Sequence, residues 1–267
     1  MLKCIAVSTP GARFSALAVK ENFRDSIRKV AELGYDAVEL HIRDPHTVDA
    51  DEIENLLQQY RLPVPTIGTG QAYGEEGLSF ADPDPEIRRR AVQRIRDQMD
   101  LALRLKIPRV TIGLIRGTAG PADLERAEGC VRECLGECLD HHPGVTLVIE
   151  PLNRYETSLY NDAASVRALI DGIGRPGLKL LIDTFHMNIE EPDMTESIFA
   201  SREYISHVHF ADSNRWAPGC GHIDFAAILR ALREIGYDGT VCAEILPKPS
   251  PDECLRLTIE HFRKLGL

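Results

Sequence analysis

Hydrophobic residues along the chain fall into short β-type runs that alternate with longer amphipathic stretches. The runs are Lys3–Ser8, Ala37–His41, Pro65–Gly68, Arg109–Leu114, Val145–Glu150, Lys179–Asp183, Ile205–His209 and Thr240–Glu244. Helical spacing of apolar positions predicts helices near 22–33, 49–59, 85–105, 121–139, 161–172, 193–203, 224–235 and 250–265. Apolar strands separated by helices pair in parallel through helical crossovers. Eight such units predict an α/β chain, a single (β/α)8 TIM barrel spanning residues 1–267. An open doubly wound sheet is the alternative, but no Gly-rich fingerprint follows the first strand. Gly34-Tyr35-Asp36 and Gly236-Tyr237-Asp238 close two helical patterns alike. Such glycines suit the residue after a helix, where positive φ is needed.

Irregular segments are unevenly placed. Residues 69–83, 151–160 and 210–223 each follow the C-terminal end of a strand, the face on which barrels build active sites. Four consecutive strands end there in Glu150, Asp183, His209 and Glu244, separated by 33, 26 and 35 residues, about one βα unit each. Parallel strands therefore carry all four side chains to one mouth. Three crowded carboxylates raise one another's pKa unless a cation compensates. Mixed oxygen and nitrogen donors suit one divalent ion, Mn²⁺ first, with Mg²⁺, Co²⁺ or Zn²⁺ as alternatives. A single strand-end acid is more often a loop cap, whereas four at matching positions point to a metal site. His207 shares a strand face with His209 and reads as a core residue one layer deeper. His141 and His142 fall on the opposite face and are given no role.

Composition narrows the chemistry further. With 41 acidic against 31 basic residues the net charge is −10, which disfavours nucleic acid as a partner. No apolar run approaches a membrane span, and the first residues read as a strand, so a cytoplasmic protein is expected. Seven cysteines in no secreted-scaffold spacing read as free thiols. Cys130, Cys134 and Cys138 stripe one helix face and are expected in the core.

Three segments carry a specific resemblance. They are Glu150-Pro-Leu-Asn-Arg-Tyr-Glu156, Asp183-Thr-Phe-His-Met-Asn-Ile-Glu-Glu191 and Asp212-Ser-Asn-Arg-Trp-Ala-Pro-Gly-Cys-Gly-His-Ile-Asp-Phe225. They resemble the ketose 3-epimerase family of the xylose-isomerase-like barrels, the D-tagatose 3-epimerase kind. The likeness runs through the chain and is densest from 145 to 246. Ile67-Gly-Thr-Gly-Gln-Ala-Tyr73, Ile112-Gly-Leu-Ile-Arg-Gly117 and the Arg43-Asp44-Pro45 corner are most similar to the branch acting on 5-keto-L-gluconate, although that branch carries a different residue where His41 stands. The resemblance makes Glu150, Asp183, His209 and Glu244 metal ligands and Glu156, His186 and Arg215 substrate contacts. It also implies a homo-oligomer. Trp216 could wall the pocket or meet a partner subunit.

The expected reaction is proton abstraction beside the ketone of a keto sugar or keto sugar acid, through an enediolate that the metal stabilises as a Lewis acid. Epimerisation needs a proton taken from one face and returned to the other, so Glu150 and Glu244 are assigned as the acid/base pair as well as ligands. A uronate substrate needs a cation for its carboxylate, and Arg43 and Arg116 near strand ends are the candidates. Aldose–ketose isomerisation of the hydroxypyruvate kind on the same site is the nearest alternative. An apurinic endonuclease would need further ligands and a basic face, and a non-catalytic sugar binder would have no use for two opposed glutamates.

Overall fold

The computed structural model describes residues 1–9, 17–19 and 22–267. Its eight strands are β1 (Leu2–Ser8), β2 (Ala37–His41), β3 (Ile67–Gly68), β4 (Arg109–Ile112), β5 (Thr146–Ile149), β6 (Leu178–Asp183), β7 (Ile205–Phe210) and β8 (Thr240–Ala243). All neighbours pair in parallel, and β8 returns to β1, so the sheet is a closed barrel in chain order. The helices are α1 (Phe23–Leu33), α2 (Ala50–Tyr60), α3 (Gln71–Glu76), α4 (Pro85–Arg104), α5 (Leu124–Leu139), α6 (Ala163–Ile173), α7 (Thr184–Glu190), α8 (Met194–Ala200), α9 (Phe225–Glu234) and α10 (Pro251–Lys264). None is long and apolar enough to cross a membrane.

Local chemistry accounts for the punctuation. Asn22 accepts from the Asp25 amide at 3.2 Å to start α1, and Gly34 at φ +85° ends it. Asp84 caps α4 ahead of Pro85, where the missing N–H costs nothing. Strand residues alternate between a wall that packs on the helices, such as Val38 and Leu40, and an inward row, such as Ala37, Glu39 and His41. The stripe Cys130, Cys134 and Cys138 is buried under α5, and all seven cysteines are free.

Two helices exceed the eight expected. The 69–83 segment, read as irregular, contains α3. The 184–190 segment, which lies between the expected helices, is α7, which starts on Asp183 because that carboxylate accepts from the Phe185 amide at 2.8 Å. Strands β3 and β4 are shorter than their apolar runs: β3 starts at Ile67 rather than Pro65, and β4 gives way after Ile112 to a 3-10 turn, Leu114–Arg116. That turn decides the fate of Arg116.

Candidate metal centre and active site

The ends of β5, β6, β7 and β8 bring Glu150, Asp183, His209 and Glu244 together, with one donor atom of each lying within 4.8 Å of the others. All four are buried. Backbone ties set their height. The Glu150 amide donates to Ile112 O at 3.2 Å, and the Thr184 hydroxyl donates to Ala211 O at 2.7 Å, so neighbouring strand tips move as a unit. Asp183 spends one oxygen on the α7 cap and keeps the other for the site.

Donor chemistry here fits a divalent cation. Glu150 Oε1, Asp183 Oδ2 and His209 Nδ1 are buried and have no hydrogen-bond partner among the described residues. Such orphans are rare in native proteins and call for an explanation such as an ion. Burial pushes the Glu150 carboxyl upward, and nearby Glu244 adds to the rise. Asp183 is driven well above the carboxylate range by burial and by Glu150. Without compensation these groups cannot all remain charged, and a bound cation relieves that conflict.

Around this cluster sit the family's expected contacts. Burial, followed by the Arg215 charge, holds His186 well below the usual imidazole range. Its Nδ1 accepts from Asn153 twice, from the side-chain amide at 2.8 Å and the backbone N–H at 3.2 Å. The proton therefore sits on Nε2, which points toward Glu150 Oε1 at 3.8 Å and Asp183 Oδ2 at 3.9 Å. Arg215 donates to Glu156 Oε1 at 2.8 Å and Glu244 Oε2 at 3.0 Å, and its guanidinium lies 5.0 Å from the Phe185 ring centre. Burial opposes its charge, but Glu244 and Glu156 outweigh that and raise it further. The Arg215 backbone is left-handed, φ +59°. Buried Asp212 imposes that loop shape by accepting from the amides of Ser213, Gly219 and Ile223.

A narrow cleft opens above these groups, walled by His41, Thr69, Leu114, Leu152, Glu156 and Arg215 among others. Neither arginine expected to read a substrate carboxylate lines it. Arg116 is fully buried, because the 3-10 turn folds its side chain inward. Its guanidinium commits four of its five N–H donors to the backbone carbonyls of Gly113, Glu150, Leu159 and Tyr160. Burial lowers its pKa to about 10. Arg116 thus braces the backbone behind Glu150. Arg43 is half-exposed and pairs with Glu75 at 3.1 Å and Glu76 at 3.5 Å, both on α3. Trp216 is partly exposed and outside the cleft wall.

Sequence reasoning overlooked Glu39. It is fully buried in β2, beneath the donor cluster, where His207 donates to it at 2.7 Å and His209 and His41 each at 3.0 Å. His207 does lie one layer below His209, as expected. An ionisable residue inside a fully apolar-looking strand, in step with His41 two residues on, was the available signal. Asn153 and Asp212 were also passed over, since single polar residues in loops carry no distinguishing pattern.

A closed parallel barrel with buried carboxylates and a histidine at the C-terminal ends of its strands defines an enzyme-like site where such barrels carry their chemistry. The family described as xylose isomerase-like TIM barrel matches residues 27–265. An L-ribulose 3-epimerase of Methylomonas sp. is 31% identical over 91% of this chain and 85% of its own. The chain belongs to the ketose 3-epimerases within the xylose isomerase-like TIM barrels, and it is an isomerase acting on carbohydrates. A 3-dehydro-D-guloside 4-epimerase of Escherichia coli is 26% identical over 84% of this chain and 87% of its own. Among solved structures, a D-allulose 3-epimerase from Methylomonas sp. in complex with D-allulose superimposes with a TM-score of 0.79 at 25% identity, covering 99% of this chain and 96% of that one.

Proposed function

We propose that this keto-sugar epimerase inverts the carbon beside the ketone of a keto sugar acid of the 5-keto-L-gluconate or D-tagaturonate kind, with one divalent ion, Mn²⁺, held by Glu150, Asp183, His209 and Glu244. The observation that carries the metal reading is the set of three partnerless donor atoms buried at the barrel mouth. The observation behind the sugar acid is that Gly68, Thr69, Gly70, Gly113 and Leu114, from the two segments most similar to the sugar-acid branch, line the cleft. A neutral ketose is the second reading. Arg215 is the one Lys or Arg side chain lining the cleft among the described residues, and Glu156 and Glu244 already share it.

When bound, the ion acts as a Lewis acid toward the ketone oxygen and lowers the cost of removing the neighbouring proton. Glu150 comes from β5 and Glu244 from β8, three strands apart around the barrel, so the two carboxylates reach the centre from different sides. One takes the proton from the substrate carbon and the other returns one to the opposite face. His186 offers its Nε2–H to a substrate oxygen, with Asn153 fixing that tautomer. Arg215 steadies Glu244 and Glu156 by charge-assisted bonds.

The test is an NMR assay of Mn²⁺-loaded protein in D₂O with 5-keto-L-gluconate and, separately, D-tagatose and D-fructose. Deuterium beside the ketone with the epimeric product supports epimerisation, and faster turnover of the acid selects the first reading. Turnover confined to the neutral sugars selects the second. A product with the carbonyl moved along the chain would make the reaction an isomerisation, and no exchange with any of them would sink both readings.

A further inference from the structure

Buried carboxylates without a basic partner need another source of compensation. Among the described residues, no lysine or arginine pairs with Glu39, which is wholly enclosed by the barrel. Three imidazoles surround it instead. His41 Nε2 donates to Oε1 at 3.0 Å, while His207 Nε2 and His209 Nε2 donate to Oε2 at 2.7 and 3.0 Å. Small residues surround this layer, Cys4 and Ala6 on β1, Ala37 on β2 itself and Cys242 on β8. The three rings thus come from β2 and from two levels of β7, and one carboxylate joins them.

Each of these bonds has a consequence at the far side of the ring. A neutral imidazole that donates from Nε2 must present Nδ1 as a lone pair. For His209 that nitrogen is the buried, partnerless atom 3.6 Å from Glu150 Oε1, the one placed to bind the ion. We propose that Glu39 is a positioning residue of the metal centre: by holding the Nε2–H of His209 it fixes the ring's tautomer and orientation so that Nδ1 is the donor atom. This inference rests on the ligand set assigned above.

The same four side chains, Glu39, His207, His209 and Cys242, could instead surround a second ion, since their donor atoms also lie within 4.8 Å. The geometry favours hydrogen bonds: both β7 rings address a single carboxylate oxygen at ordinary N–H···O lengths, which needs no ion.

Full-length wild type, Glu39→Gln and His207→Gln, stripped of metal, would be titrated with Mn²⁺ and followed by the EPR signal of the free ion. The histidine tautomers would be read by ¹⁵N NMR on the Zn²⁺-loaded form. Wild type should bind one Mn²⁺ per chain and show His209 protonated at Nε2 and bare at Nδ1. Glutamine offers a single oxygen and must turn its own N–H₂ toward one of the rings, so Glu39→Gln should weaken Mn²⁺ binding roughly 10–100-fold. His207→Gln leaves the His209 bond intact and should stay within about threefold of wild type, although it disturbs the same buried layer. Equal affinity in Glu39→Gln and wild type would overturn the proposal. So would equal losses in the two variants, which would mark a merely structural role, and so would two ions per wild-type chain. Wild type that takes up no ion at all would overturn the ligand assignment itself, a result separable from the other three.

Discussion

The two halves of the barrel mouth divide the work unequally. From β5 to β8 every strand tip delivers one member of the buried donor cluster, Glu150, Asp183, His209 and Glu244. From β1 to β4 the corresponding positions hold Ser8, His41, Gly68 and Gly113. Gly68 lets the His41 ring lie against the backbone, since a Cβ there would meet Cε1 at 2.5 Å, and Gly113 lets Glu150 Oε2 approach to 3.2 Å of where its Cβ would be. One half concentrates charge and the other provides shape. The link between them is Glu39, which reaches across from β2 to the His209 ring of β7. The quiet half thus supplies room at Gly68 and Gly113 and a buried carboxylate against the His209 ring.

Removing an acid/base group from the charged half should break the enzyme most. Glu150→Gln and Glu244→Gln keep the shape but lose the proton carrier, so kcat should fall at least about 10²–10⁴-fold in each. The check is deuterium wash-in at saturating Mn²⁺, since a weakened ligand can be overcome by added metal whereas a missing base cannot. Wild-type exchange in either variant would move the proton transfer to another residue.

Next in size is the brace behind Glu150. Replacing Arg116 by Leu would take a charged donor from the carbonyls of Glu150, Leu159 and Tyr160, while Gly113 O keeps the Arg116 backbone amide. Hydrogen bonds to a charged donor are worth about 1.5–3 kcal/mol each, and water can reach some of the carbonyls afterwards, so a loss of roughly 3–5 kcal/mol is expected. At about 2–4 °C per kcal/mol for a chain of this size, thermal unfolding should show a drop on the order of 10 °C. An unchanged midpoint with a selective loss of uronate binding would restore the role first expected of Arg116.

That expectation shows where sequence runs out. The convergence of Glu150, Asp183, His209 and Glu244 was legible because each ends an apolar run about one βα unit from the next, a pattern carried by strand period and spacing alone. The barrel was legible for the same reason. Arg116 also stands near a strand tip, but its direction depends on a 3-10 turn that shortens β4, and no local periodicity announces that turn. The helix on 71–76 was hidden by Gly70, Gly74 and Gly77, which read as loop; Gly77 in fact closes the helix at φ +70°. Glu39 was obscured because the run Ala-Val-Glu-Leu-His looks like an ordinary buried strand until the fold shows that three histidines converge on it.

In the shape-giving half, Gly68→Ala sharpens the contrast. The added methyl must displace the His41 ring, a shift that overpacking usually charges at about 1–3 kcal/mol. The ring bonds Glu39 and lies 3.7 Å from Glu244 Oε1, so its displacement should reach the site. A fall of up to roughly 5–150-fold in kcat/KM is expected if that strain is felt in the transition state, with the metal-binding stoichiometry intact. Activity equal to wild type would mean that the quiet half tolerates changes of shape and that His41 is a bystander.

The smallest effect is expected of Arg43→Ala. Arg43 is 44% exposed and its partners Glu75 and Glu76 lie on α3, so the pairs contribute about 0–1 kcal/mol at most. Steady-state kinetics on a keto sugar acid and on a neutral ketose would both stay near wild type, and their ratio would not move. The ratio is the decisive quantity, because a loosened α3 would depress both substrates together, whereas a lost carboxylate contact would depress only the acid. Charged hydrogen bonds of that kind are worth about 1.5–3 kcal/mol, so a true reader would shift the ratio roughly tenfold or more. Such a shift would put a charged substrate contact at the tip of β2, and the division of the mouth into a charged half and a shaping half would no longer hold.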